Sequence, residues 1–201
     1  LRYLYQTGKY NIVELANGVG WEDPATKLLP WECRGSMPPP NEMQGLTPEQ
    51  QRAEGYGLKV VDKAIKEFKP DVYIGIEDIW AFNGFHNKPW WNKVNTMIWT
   101  TLDSLPILPQ AVEYAPKVKN FYVWASFAEK AMKDMGYYNV KTLRGSLDIN
   151  KFFRFNDKKR QNLRKAHNLS NEYIIGFVFR NQLRKSVPKY RATRCVNNLC
   201  L

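Results

Sequence analysis

Short runs rich in β-branched and aromatic residues recur along this chain, with helical or loop stretches between them. That alternation most constrains the fold. Residues 10–16, 71–76, 95–100, 121–124 and 140–143 each have the length and composition of a strand. Strands that alternate with helices build βαβ units and hence a parallel sheet. Several of the runs are apolar almost throughout, which predicts strands covered on both faces.

Two of the intervening helices carry start signals. Thr47, Pro48 and Gln50 supply a capping threonine, a proline at the first helical position and a glutamine three residues after the cap. Leu58, Val61, Ala64, Ile65 and Phe68 follow at helical spacing and are expected to face the sheet. Ser126 and Glu129 form a second capping-box pattern, followed by apolar Ala131, Met132 and Met135, with Gly136 placed to end the helix. The opening residues, Leu1 to Gln6, read as the tail of a helix. Residues 17–46 and 83–92 read as long loops, glycine- and proline-rich, carrying Trp21, Trp31, Trp90 and Trp91. Such tryptophans either line a cleft beyond the strand ends or pin the loops to the body of the protein.

Charge divides the chain unevenly. Residues 1–140 hold 15 basic and 16 acidic side chains, a balance of −1, whereas residues 141–201 hold 15 basic and 3 acidic, a balance of +12. A phosphate-bearing partner for the last third is therefore expected, against the plainer reading of a solvated basic face. Three cysteines, Cys33, Cys195 and Cys200, make no disulfide framework, and His86 and His167 stand too far apart in sequence for metal-ligand spacing. No metal or cofactor is expected, and a reducing, cytoplasmic setting is. No run of about 18 apolar residues is present, so no membrane-spanning helix is expected.

Carboxylates cluster where strands end. Glu77 and Asp78 follow the second run and Asp103 follows the third. Open α/β sheets bind ligands beyond the carboxyl ends of their strands, so each is a candidate to hydrogen-bond a hydroxyl-bearing acceptor. Each is equally placed to cap a following helix. Further on, Asn156 is a candidate cap for a helix bearing Lys158, Lys159, Arg160, Arg164 and Lys165, and residues 173–179 read as a fresh buried strand.

The order of these elements resembles family-4 glycosyltransferases of the GT-B fold over nearly the whole chain. The stretch from Leu143 through Gly145 and Asp148 to Phe152 is similar to the family's interdomain pattern, with one extra residue between Gly145 and Asp148. Arg180 and Lys185 keep the family's Arg-to-Lys spacing, although Phe179 and Ser186 stand where glycines are usual. Residues 123–128 look like the family's strand-to-helix step, and residues 101–109 like its Asp-containing loop. The resemblance implies an α/β, Rossmann-like parallel sheet flanked by helices: a GT-B N-terminal, acceptor-side domain over residues 1–150. A basic interdomain connection over 151–169 and the start of a nucleotide-sugar-binding domain over 170–201 complete the implied organisation, the chain being cut at both ends.

What that implies chemically is transfer of a sugar from a nucleotide-sugar donor to an acceptor hydroxyl, retaining and metal-independent. Arg180 and Lys185 would then neutralise the charge developing on the departing diphosphate, a purely electrostatic role. The catalytic residues are expected beyond residue 201, and the fragment alone is expected to transfer no sugar. An anionic membrane surface is a further expected partner through the basic patch. Two other readings compete: a basic nucleic-acid-binding module, which lacks an RNA-binding aromatic motif here, and a non-catalytic α/β interaction domain.

Overall fold

The computed structural model describes residues 1–82 and 84–174, together with 195–196 and 199–200. Contacts divide the chain into two units, Leu1–Gly145 and Ser146–Leu201. Among the described residues no helix is long and apolar enough to cross a membrane.

The first unit is α/β, with parallel sheets and packed helices, as in a Rossmann-like fold. After a short helix α1 (Arg2–Gln6) come β1 (Val13–Gly20) and β2 (Glu32–Met37), which pair in parallel with Val13 opposite Glu32 and Ala16 opposite Gly35. β1 thus starts later than its apolar run suggests, and β2 lies inside the stretch expected to be loop. Its sequence has no continuous apolar run, and its glycine hides it. Gly35 is nevertheless required there: a Cβ would collide with the Gly20 and Val19 carbonyl oxygens, where β1 bulges toward its partner.

Helices α2 (Pro40–Met43), α3 (Pro48–Gly55) and α4 (Val60–Phe68) follow. Thr47 caps α3 by the full reciprocal box with Gln50, as its sequence predicts. The helical pattern breaks at Gly57, which takes φ +85° between α3 and α4. Val61 is then fully buried, and Leu58 and Ile65 pack against the core.

The second sheet has the order β3 (Val72–Ile76), β4 (Asn95–Thr100), β5 (Asn120–Val123) and β6 (Val140–Thr142), all parallel. Between β4 and β5 lies α5 (Pro109–Tyr114), and between β5 and β6 lies α6 (Ser126–Asp134). Ile98, Phe121, Val123 and Val140 point to one face and are fully buried against Val61, Tyr114, Ala128 and Met132. The alternate residues Val72, Ile74 and Ile76 are 47–48% exposed. This corrects the expectation of strands covered on both faces at the edge strand β3. On the same face of the central strands Met97, Trp99 and Tyr122 are half-buried, so within this unit the second face is covered less than the first. The apolar runs concealed a period-2 burial pattern, because both faces carry large side chains.

Helix α6 begins where expected, and Gly136 ends it at φ +92°. Its capping box does not form, however. Ser126 makes no side-chain cap bond, and Glu129 turns instead to Lys133, at 2.5 Å, and to the backbone N–H of Thr142, at 2.7 Å. Those two donors pull its carboxyl pKa down to about 2. Glu129 therefore ties α6 to β6 rather than closing the helix on itself.

The loop tryptophans are anchors. Trp91 is buried and donates to the Lys117 carbonyl at 2.9 Å, while Trp90 donates to Asp62 at 2.7 Å and meets Tyr73 edge-on at 5.2 Å. Trp31 donates to Glu14 at 2.7 Å, and Lys63 lies over the Trp21 ring at 4.1 Å.

The second unit opens with a turn at residues 148–152 and continues into α7 (Asp157–Ala166). Asn156 caps that helix, accepting from Lys159 N–H at 2.9 Å, as its sequence predicts. Arg164 donates to the carbonyls of Ser170 and Glu172, which folds the chain after α7 back along it. Farther on, β7 (Cys195–Val196) pairs antiparallel with β8 (Leu199–Cys200). Tyr173 and Ile174 form no strand, and the remainder of the strand expected over 173–179 lies outside the described residues.

Candidate functional site

The carboxyl end of β3 carries Glu77 and Asp78 side by side, half-buried. Gly75 lets the turn after them fold tightly. Phe82, in the 3-10 turn Ile79–Phe82, lies so close that a Cβ on Gly75 would stand 2.6 Å from its ring. That turn holds Trp80 near the two carboxylates.

The pair is then fastened on both sides. Glu77 accepts from the Asn17 side-chain amide of β1 at 3.0 Å and from the Asp78 N–H at 3.0 Å. Asp78 accepts from the hydroxyl of Thr101, the first residue after β4. One carboxylate thus links the two sheets, and the other links adjacent strands of one sheet.

Tyr56, from the break between α3 and α4, packs edge-on against Trp80 with ring centroids 5.0 Å apart. Burial raises the Tyr56 phenol pKa above its ordinary value, and the Glu77 and Asp78 charges raise it further. The phenol therefore stays protonated and remains a hydrogen-bond donor beside two acceptors. Two carboxylates, an amide, two hydroxyls and an aromatic pair meet at one strand end. Such a set can accept and donate hydrogen bonds to several hydroxyls at once while giving an apolar ring face something to lie on.

The structure brings together Glu77 and Asp78 but not Asp103. Asp103 is exposed in the loop after β4, and no hydrogen bond joins it to the pair. Gly145 ends the first unit, where a Cβ would come within 3.8 Å of the Trp124 ring. Asp148 belongs to the second unit and organises the turn there: its carboxylate accepts from Asn150 N–H at 3.0 Å, and its carbonyl accepts from the N–H groups of Lys151 and Phe152. Arg180 and Lys185 lie outside the described residues. Among the described residues, no group of three or more His, Cys, Asp or Glu side chains is arranged to hold a metal ion.

Sequence reasoning missed Asn17, Tyr56, Trp80 and Thr101. Trp80 and Thr101 had a signal, lying four residues beyond the carboxyl end of β3 and one beyond that of β4. Tyr56, between Gly55 and Gly57, looked like helix interior, and Asn17 looked like loop. Comparison with family models, with curated proteins and with solved structures finds no match to this chain.

Proposed function

We propose that the chain is the acceptor side of a nucleotide-sugar-dependent glycosyltransferase of the GT-B type, with Glu77 and Asp78 receiving the acceptor's hydroxyls. The observation that supports this most is the paired carboxylates at the carboxyl end of β3, held by Asn17 and Thr101 and flanked by Tyr56 and Trp80. A saccharide presents adjacent hydroxyls on its rim and C–H groups on its face. Carboxylates and an aromatic ring answer these two features. Retaining transfer needs no dedicated nucleophile from this side, so the role of this site is to bind and orient the acceptor. Arg180 and Lys185 supply the positive charge that the leaving diphosphate requires.

The test uses the open reading frame that contains this chain, screened against nucleotide sugars by thermal shift and then assayed for transfer. One donor is expected to raise the melting temperature, and Arg180→Ala or Lys185→Ala to abolish that rise. Glu77→Gln and Asp78→Asn are expected to leave donor binding intact and raise the acceptor KM about tenfold, the loss of one hydrogen bond to a charged group. No shift with any donor, or carboxylate variants that depress donor binding and leave acceptor KM unchanged, would sink the proposal.

A further inference from the structure

The stretch from Leu147 to Lys165 puts large apolar side chains and uncompensated cations on the same surface. Leu147 is 71% exposed, Ile149 76%, Phe152 65%, Phe153 57% and Phe155 37%. The same residues carry seven basic side chains against two acidic ones, Asp148 and Asp157, a net of +5. Arg164 is engaged by the backbone after α7 and by Glu172, at 3.7 Å. Among the described residues Lys151, Arg154, Lys158, Arg160 and Lys165 make no ion pair.

This arrangement is built rather than frayed. The turn closed by Asp148 projects Ile149 and Phe152 from its loop. Phe153 and Phe155 meet edge-on at 5.5 Å, and the Lys159 ammonium sits 4.2 Å from the centre of the Phe155 ring. The Asn156 cap then starts the basic helix immediately beside the aromatic cluster. The apolar tip and the cationic helix are thus contiguous and belong to one compact unit.

We propose that residues 147–165 dock this protein on an anionic lipid bilayer, the loop at 147–155 entering the headgroup–acyl boundary and α7 lying over the anionic headgroups. Charge complementarity selects this occupant. Phenylalanine, leucine and isoleucine gain from the acyl boundary, and cations beside them gain from anionic headgroups. A nucleic acid would satisfy the cations and could stack on the phenylalanines. Leu147 and Ile149, the two most exposed members, have no π-face with which to stack on a base. The inference stands independently of the transferase reading.

The experiment is co-sedimentation of the whole chain with vesicles of phosphatidylcholine alone or mixed with phosphatidylserine. Binding is expected only to the mixed vesicles and is expected to weaken as salt rises. Phe152→Ala with Phe153→Ala should lower partitioning about tenfold or more. Lys158→Ala with Lys159→Ala and Arg160→Ala should lower it about a hundredfold, at roughly fivefold per cation. Alanine favours helix, and circular dichroism verifies that α7 persists in the triple variant. Equal sedimentation with both vesicle types, or none with either, overturns the proposal. So does binding that ignores the phenylalanine substitutions and is displaced by random oligonucleotides, which would make the segment a nucleic-acid site.

Discussion

Replacing Gly75 by alanine tests how the site's floor is packed. A Cβ at this position would lie 2.6 Å from Phe82 Cε1 and 2.9 Å from both Phe82 Cζ and Ile98 Cδ1. Ordinary carbon–carbon contact needs about 3.5–4.0 Å, so the Phe82 ring must retreat by about 1 Å. It has nowhere to go. Phe82 is 4% exposed, its ring meets Phe85 edge-on at 6.0 Å, and the Tyr114 hydroxyl donates to its carbonyl. Overpacking of this kind costs about 1–3 kcal/mol. Gly55 is the control: it has an ordinary φ, and a Cβ there would meet nothing within 4 Å. Gly55→Ala, at the end of α3, should be neutral or stabilise by up to about 1 kcal/mol. Urea unfolding of both variants reads the difference. A double-mutant cycle adding Phe82→Leu, which removes ring atoms at the point of collision, should show a favourable coupling of at least about 0.5 kcal/mol. If Gly75→Ala unfolds within about 0.3 kcal/mol of the parent, the ring is not held and the reasoning fails.

Asp62 accepts from the Trp90 indole and from the Lys88 ammonium, both at 2.7 Å. Asp62→Ala should therefore destabilise by about 1–3 kcal/mol by leaving the buried indole N–H unpaired, read by urea unfolding. The Glu129 carboxyl is held down to about 2 from its ordinary 4.5 by Lys133 and Thr142. A depressed carboxyl pKa contributes stability that is complete above the ordinary value and disappears as pH falls toward the folded one. Glu129→Gln should accordingly be less stable than the parent at pH 7, with the gap closing between about pH 5 and pH 2 in a pH series of urea midpoints. A gap that stays constant across that range would assign the effect to packing rather than charge.

Much of the described structure could be read from local pattern. The strands β3 to β6 and the cap of α3 are encoded within a few residues of themselves, as are the stops at Gly136 and the start of α7 at Asn156. What escaped depends on partners distant in sequence. β2 is a strand because Gly35 permits close approach to β1 and because β1 offers it a ladder, and neither fact shows in residues 32–37. Ser126 and Glu129 have the spacing of a capping box, yet the Thr142 N–H competes for the glutamate and wins, since β6 leaves that donor within reach at 2.7 Å. The exposure of Val72, Ile74 and Ile76 on the second face of the four-stranded sheet escaped for a related reason. Large side chains on both faces give the same apolar run whether one face is covered or two, so composition along the strand carries no information about the second layer.

The site repeats this division. Glu77 and Asp78 were identifiable because a strand that ends in carboxylates places them at its carboxyl edge whatever else the chain does. Their partners were not identifiable, because Asn17 stands 60 residues from Glu77 and Thr101 stands 23 from Asp78. Those partners alter the chemistry, not merely the inventory. An isolated carboxylate pair would be a solvated acidic edge. Tied to an amide and a hydroxyl and set beside the protonated Tyr56 phenol, it becomes an ordered set of donors and acceptors whose spacing is fixed before any ligand arrives. Preorganisation of that kind separates a binding surface from a charged one, since a hydroxyl-rich ligand then forms its hydrogen bonds without ordering the side chains that make them. The substitution that probes this is accordingly Asn17→Ala rather than a carboxylate change, because it frees Glu77 while keeping its charge.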